Sequence, residues 1–286
     1  MLPNANQKYP LCQQFGFSYD QPYDFAVFSW QQSKRDQVSG PYIVYRFLAA
    51  ALFLSVVVYC GARSHHPEYW LIYLSHIGLI LQTLHLALSA AVPVQLLLLS
   101  HRGQVDSNNT TLLKFSWFLY NITNLLSLLI SAVFWAVLFV PGRGLKDKDI
   151  LVHALNSIMS ICDIFISKRP CRMLHFHHSF AALGPYVVFS AIYWAAGGQR
   201  ENGLSYIYPI LNWENLSLTV PFVLVGLTIG LPLVHGVIWS LHVLRDRVIQ
   251  CARKFDEQND YYQSRWNPAF VPDETGGDNS AIVIKA

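Results

Sequence analysis

The stretch from Ile150 to Ser167 limits most what this chain can become. At about 1.5 Å of rise per residue a helix of this length crosses a bilayer's hydrocarbon core with modest thinning or help from neighbours. Yet it carries His153, Asn156, Ser160 and Asp163. At helical spacing these four fall within about 80° of one face, with Ser157 beside them. Lipid cannot solvate such a stripe, so it must face other helices, a wet cavity or a ligand. The remaining hydrophobic segments are therefore expected to house this face.

Composition agrees with a membrane setting. The 286 residues are 53% hydrophobic and 13% charged, against about 25% charged in soluble domains. The net charge of +3 is small and no basic block appears, which argues against nucleic acid as a partner. Five scattered cysteines (Cys12, Cys60, Cys162, Cys171, Cys251) lack metal-ligand spacing and are odd in number. Neither a metal nor another cofactor is expected. Cys171 and Cys251 stand near membrane boundaries beside basic residues, which permits S-palmitoylation, but solvated or interfacial free thiols are the favoured reading.

Hydropathy predicts an all-α polytopic membrane protein with six spans. A polar N-terminal segment, 1–41, has no apolar core of a cleavable signal, so the first span is expected to direct insertion. The transmembrane domain covers 42–244 and a polar, mobile tail covers 245–286. The spans run at about Tyr42–Cys60, Tyr69–Ala91 with Pro93 allowing a kink or an end, Leu112–Val140, Ile150–Ser167, Leu174–Ala196 and Ser217–Leu244. Arg46 is expected to snorkel to the headgroups. The loop before Leu216, with Tyr206, Tyr208, Pro209 and Trp213, is expected on the membrane surface. With both termini on one side, twelve Lys and Arg in short loops and at helix ends lie on that side and five opposite. That bias places both termini in the cytoplasm. The overlapping sequons at Asn108 and Asn109 would then go unused. Asn267-Pro268-Ala269-Phe270 has the form of a short endocytic signal.

Other spans carry polar faces too. The second has Ser75, Gly78, Gln82, His85 and Ser89, with His76 about 100° away. The third has Asn121 and Asn124, and His175 opens the fifth. Small and polar residues also serve helix packing in membranes, at about 0.6 kcal/mol per hydrogen bond. Asp163 is costly at depth unless paired, and the basic turn Lys168-Arg169-Arg172 is near enough to pair it. A reactive site needs Ser75 or His76 to meet His153, because a hydroxyl requires a base within reach. Asn156, one turn on, could orient that ring or donate to an oxyanion.

Several strings occur in a telling order. They are Phe28-Ser29-Trp30, Tyr45-Arg46, Tyr69-Trp70-Leu71-Ile72-Tyr73-Leu74-Ser75-His76, His153-Ala154-Leu155-Asn156, Asp163, Pro170-Cys171-Arg172-Met173-Leu174-His175 and Ile207-Tyr208-Pro209-Ile210-Leu211-Asn212-Trp213. Together they resemble the rolling stone family of multi-pass membrane proteins, over about Phe25 to Leu244. The resemblance implies a role in cell fusion, myoblast fusion and muscle development above all, at the plasma membrane rather than the endoplasmic reticulum. It names no protein partner. More distantly, Tyr73-Leu74-Ser75, His153 and the run from His175 to His178 are similar to the androgen-induced hydrolases of fatty-acid esters, which use a threonine and a histidine. This chain has serine at that threonine position, which keeps the hydroxyl and loses a methyl.

Three functions follow as expectations. The first is a membrane protein of cell fusion. The second is an intramembrane lipid-ester hydrolase with Ser75 as nucleophile, His153 as base and Asn156 as orienter, the polar core of His76, Gln82, His85, Asn121, Asn124, Ser160, Asp163 and His175 around them. The third is a transporter, which would need a wet path to both surfaces. Membrane lipids are the expected partners, with a lipid ester as the substrate of the second.

Overall fold

The computed structural model describes residues 14–31, 37–102, 111–140, 142 and 144–266. Cys12, Lys34, Arg35, the sequons at Asn108 and Asn109, Arg143 and the string at Asn267 lie outside the described residues. The seven α-helices that matter here are α1 (Gly40–Ala62), α2 (Leu74–His101), α3 (Thr111–Val133), α4 (Leu155–Ile166), α5 (Phe180–Ala195), α6 (Leu216–Val225) and α7 (Leu231–Trp266). Among the described residues the one β-type pairing is an isolated bridge between Phe28 and Ser167. The fold is all-α.

Among the described residues five helical runs are long and apolar enough to cross a membrane: Gly40–Ala62, Leu74–His101, Thr111–Leu138, Asp147–Ile166 and Leu216–Tyr261. The expected fifth span is built differently. A 3-10 segment, Met173–Ser179, precedes α5, which has 16 residues. Alone α5 reaches about 24 Å, short of a hydrocarbon core of about 30 Å.

Local chemistry explains where the runs start and stop. The Ser39 side chain accepts from the Tyr42 amide at 3.4 Å, and Pro41 needs no partner in the first turn, so α1 begins at Gly40. Pro93 does not end α2, which continues to His101. Its fixed φ suits a helix and it removes a single backbone bond, which packed neighbours tolerate. Past Leu244 the helix also continues, through Arg245 to Trp266, where a polar tail was expected.

The middle of the bundle is α3 rather than the fourth span. Fourteen of its 23 residues are buried, from Leu113 to Ser131. Leu125 and Leu126 pack with Ile164, Leu183, Leu231 and Ile238, while Phe53 and Val56 of α1 meet Leu79 and Leu86 of α2. The outer faces are oily: Val44, Leu48, Leu52 and Val58 of α1, and Leu233 and Val237 of α7, are exposed. The N-terminal segment is no loose arm. Tyr19, Tyr23, Phe25 and Ala26 join Val92, Leu96, Trp117 and Tyr120 in a buried cluster. Ser29 donates its amide to the Ile166 carbonyl at 2.8 Å, closing this end of the bundle.

Candidate functional site

The polar stripe of the fourth span divides between two centres. Ten residues separate His153 from Asp163, or about 15 Å along a helix.

At the end of the bundle where α2 begins, Ser75 and His153 line one cavity of about 140 Å³. That is the scale of the roughly 150 Å³ apolar cavities that admit benzene. Leu129, Ile130 and Phe134 supply one wall, Leu183, Tyr186 and Val187 of α5 another, and Phe222, Leu227 and Leu231 a third. Phe222 is exposed, so this wall reaches the lipid-facing side of the bundle. Three π-helical turns, Phe134–Leu138, Ile150–Ala154 and Gly226–Gly230, each give residues to the wall. Such turns widen a helix locally and recur at functional sites.

The remaining contacts fix the two polar groups. His153 stacks on Phe134 with ring centroids 3.6 Å apart. Ser131 bonds the His153 backbone carbonyl and lies 2.9 Å from the Ser157 hydroxyl. Tyr208 lines the same cavity as Ser75 and Tyr186. Tyr186 donates to the Ile72 carbonyl at 2.9 Å. The loop expected on the membrane surface therefore closes the cavity instead, through Tyr208, Ile210 and Leu211. Trp213 donating to Ser190 at 3.1 Å and Thr219 to the Asn212 carbonyl at 2.6 Å hold it there.

Asn156 is not on this wall. Its amide oxygen accepts from Ser127 at 3.1 Å, one turn deeper. His76 also turns away, stacking on Trp70 at 4.5 Å and donating to the Trp70 carbonyl at 2.7 Å. Gln82, Asn124 and Ser160 are buried one turn further in.

The second centre lies at the opposite end, beneath the N-terminal segment. Asp163 pairs with Arg46 at 2.6 Å, accepts from Tyr45 at 3.2 Å and stands 3.9 Å from His85. Arg46 also donates to Tyr42, whose hydroxyl is 3.1 Å from Ser167. Arg46 is fully buried, so it turns inward to a carboxylate instead of snorkelling. The basic turn is occupied elsewhere: Lys168 pairs with Asp24 at 3.2 Å, and Arg172 donates to the Gly16 and Ser18 carbonyls. Arg169 is buried with its guanidinium over the rings of Phe25 and Tyr120. Beside this centre, Asn121 donates to His175 at 2.9 Å, His175 reaches the Gly16 carbonyl at 3.1 Å, and Phe17 stacks on His178. Cys171, in the same turn, is half-buried, and burial pushes its thiol up to about 12. Cys251 is exposed.

Two partners escaped the sequence reading. Arg46 carried a signal, because a lone cation and a lone carboxylate inside spans pair with each other. Tyr208 carried none, since nothing local says that a loop folds back into a bundle. Among the described residues no group of three or more His, Cys, Asp or Glu is placed to hold a metal ion.

Comparison with known proteins bears out the family resemblance. The family profile described as Protein rolling stone matches residues 5–257. Protein rolling stone of Drosophila melanogaster is 31% identical over 214 residues, covering 70% of this chain and 76% of that protein. No solved structure matches.

Proposed function

This chain belongs to the rolling stone family, and from that premise we propose that it is a plasma-membrane protein of cell fusion, acting in muscle development, that works on lipid inside its own bundle. Six spans and cytoplasmic termini are part of the reading: Met173–Ser179 and α5 together are long enough for the sixth crossing. One observation carries the lipid assignment. Ser75 and His153 stand on the wall of a single cavity that is otherwise lined almost wholly by apolar side chains. An acyl chain has the shape and polarity for such a space, and the exposed Phe222 gives it a route from the bilayer.

The chemistry open to this pair is ester cleavage. The Ser75 oxygen attacks the carbonyl carbon of the ester while its proton passes to the His153 imidazole. The acyl–oxygen bond then breaks and the alcohol leaves with that proton. Water, giving its own proton to His153, releases the acid and restores the serine. Tyr208, on the same cavity wall, is the hydroxyl available to position Ser75.

Labelling by a fluorophosphonate tests the assignment. In membranes carrying the full chain, label is expected on the native protein and is expected to vanish in both Ser75→Ala and His153→Ala. Label that persists in Ser75→Ala removes the serine as nucleophile. The cellular role is read separately, by mixing labelled myoblasts that carry native or Ser75→Ala protein and scoring fused nuclei.

A further inference from the structure

The outward face of α7 does not end where the membrane should. Leu233, Val237 and Leu244 are exposed on it as lipid-facing residues. The same face then continues beyond Arg245 with Val248 at 56% exposure, Cys251, and Phe255 at 72%. At about 100° per residue these six positions share an arc of about 60°. Arg245 marks the level at which the fourth span ends, since its guanidinium bonds the carbonyls of Ile164, Ser167 and Arg169. The apolar stripe thus runs about 15 Å further along the helix than the packed bundle requires.

Charge is sorted around the stripe. Arg247 and Lys254 are exposed and flank it, about 60–100° from its centre. Asp246, Asp256, Glu257 and Asp260 all fall on the opposite half of the helix. That opposite half is also where Arg253 donates to the Trp30 carbonyl at 2.9 Å, tying it to the N-terminal segment. The free face is therefore apolar with a cationic edge, and the bound face carries the acids.

Length supplies the reason for this face to meet lipid. From Leu216 to Leu244 the helical run is about 43 Å, well over a hydrocarbon core of about 30 Å. An overlong span tilts, and tilting toward its exposed stripe keeps the extension of about 15 Å within about 10 Å of the hydrocarbon, among the headgroups of the leaflet. We propose that Arg245 to Phe255 is a membrane-surface binding element, with Val248 and Phe255 seated among acyl chains and Arg247 and Lys254 on the phosphates and carboxylates of anionic lipid. The face is continuous with the lipid-facing wall below it, and its edge has the charge that such headgroups attract.

A full-length chain with Cys251 as its single cysteine, the others replaced by Ser, carries a nitroxide at that position. It is reconstituted in nanodiscs of phosphatidylcholine with or without phosphatidylserine. The label is expected to be reached by membrane-soluble oxygen and shielded from an aqueous nickel chelate, more so with phosphatidylserine. Arg247→Gln or Lys254→Gln each loosens this by about fivefold in the bound-to-free ratio. Phe255→Ser exposes the label in both lipids. Equal nickel access in both lipids, unmoved by these changes, overturns the proposal. So does strong label–label broadening, which would mean that a second copy covers the stripe.

Discussion

At the scale of single residues, the pair Arg46–Asp163 shows how a membrane interior treats charge. Both side chains are buried and 2.6 Å apart, on helices far apart in sequence. Removing one partner leaves the other charge stranded, which costs more than the pair itself contributes. Asp163→Asn is therefore expected to destabilise the detergent-solubilised protein by about 3–5 kcal/mol. Arg46→Met combined with Asp163→Leu should recover most of that loss. Unfolding midpoints of the three chains check it, and a double variant as unstable as the single one would mean that the pair organises more than its own charges. The pairing was half legible: the sequence marks Asp163 as needing a cation but offers Lys168, Arg169 and Arg172 nearby. Distance along the chain misleads here, because Lys168 goes to Asp24 and Arg172 to backbone carbonyls.

Among elements, hydropathy marks five of the expected spans, because length and apolarity are set by the bilayer and not by neighbours. The overrun of α7 to Trp266 was hidden for a physical reason. Its residues are polar but include Ala252, Arg253, Lys254, Glu257 and Gln258, all good helix formers. A helix already nucleated in the membrane extends into such a stretch without the cost of starting anew. The π turns around the cavity were not legible at all, since an extra residue in a turn is settled by packing. Ser75 and His153 were legible as a polar pair, and their shared cavity was not, because it needs the Tyr208 loop. The crossing of α2 with α3 makes a separate prediction. A Cβ on Gly78 would stand 2.8 Å from the Ile130 side-chain tip. Gly78→Ala should cost about 1 kcal/mol, the low end for an overpacked site, because that tip can turn aside. Gly78→Leu should cost about 3 kcal/mol, and Ile130→Ala should relieve it in the double variant. Thermal unfolding of the native chain, the three single variants and the double variant decides this. Additive losses of Gly78→Leu and Ile130→Ala would show that the two side chains do not meet.

For the whole molecule, the two centres give the bundle a direction. The cavity of Ser75 and His153 lies at the end of the bundle where α2 begins, beside the links 63–73 and 196–215. The centre of Arg46 and Asp163 lies by the N-terminal segment, the basic turn and the extension of α7. Cations gather at that second end, where Arg46, Lys168, Arg169, Arg172 and Arg245 are drawn into buried or capped positions. Positive loops stay in the cytoplasm during insertion, so this end should face inward and the cavity should serve the outer leaflet. A tag at the C-terminus is then expected to bind antibody only in permeabilised cells. Glycosidase should leave the native protein's mobility unchanged, since this orientation puts the link that holds Asn108 and Asn109 on the inner side. The outer sequon at Asn215 is pressed against the membrane at the start of α6, where Ser217 donates to the Asn215 side chain at 2.7 Å. A sequon carried on a flexible insert between Gly142 and Asp149 should be modified. If instead Asn108 or Asn109 carries sugar, the bundle is inverted, the cavity draws on the cytoplasmic leaflet, and a lipid supplied from outside the cell cannot be its ligand.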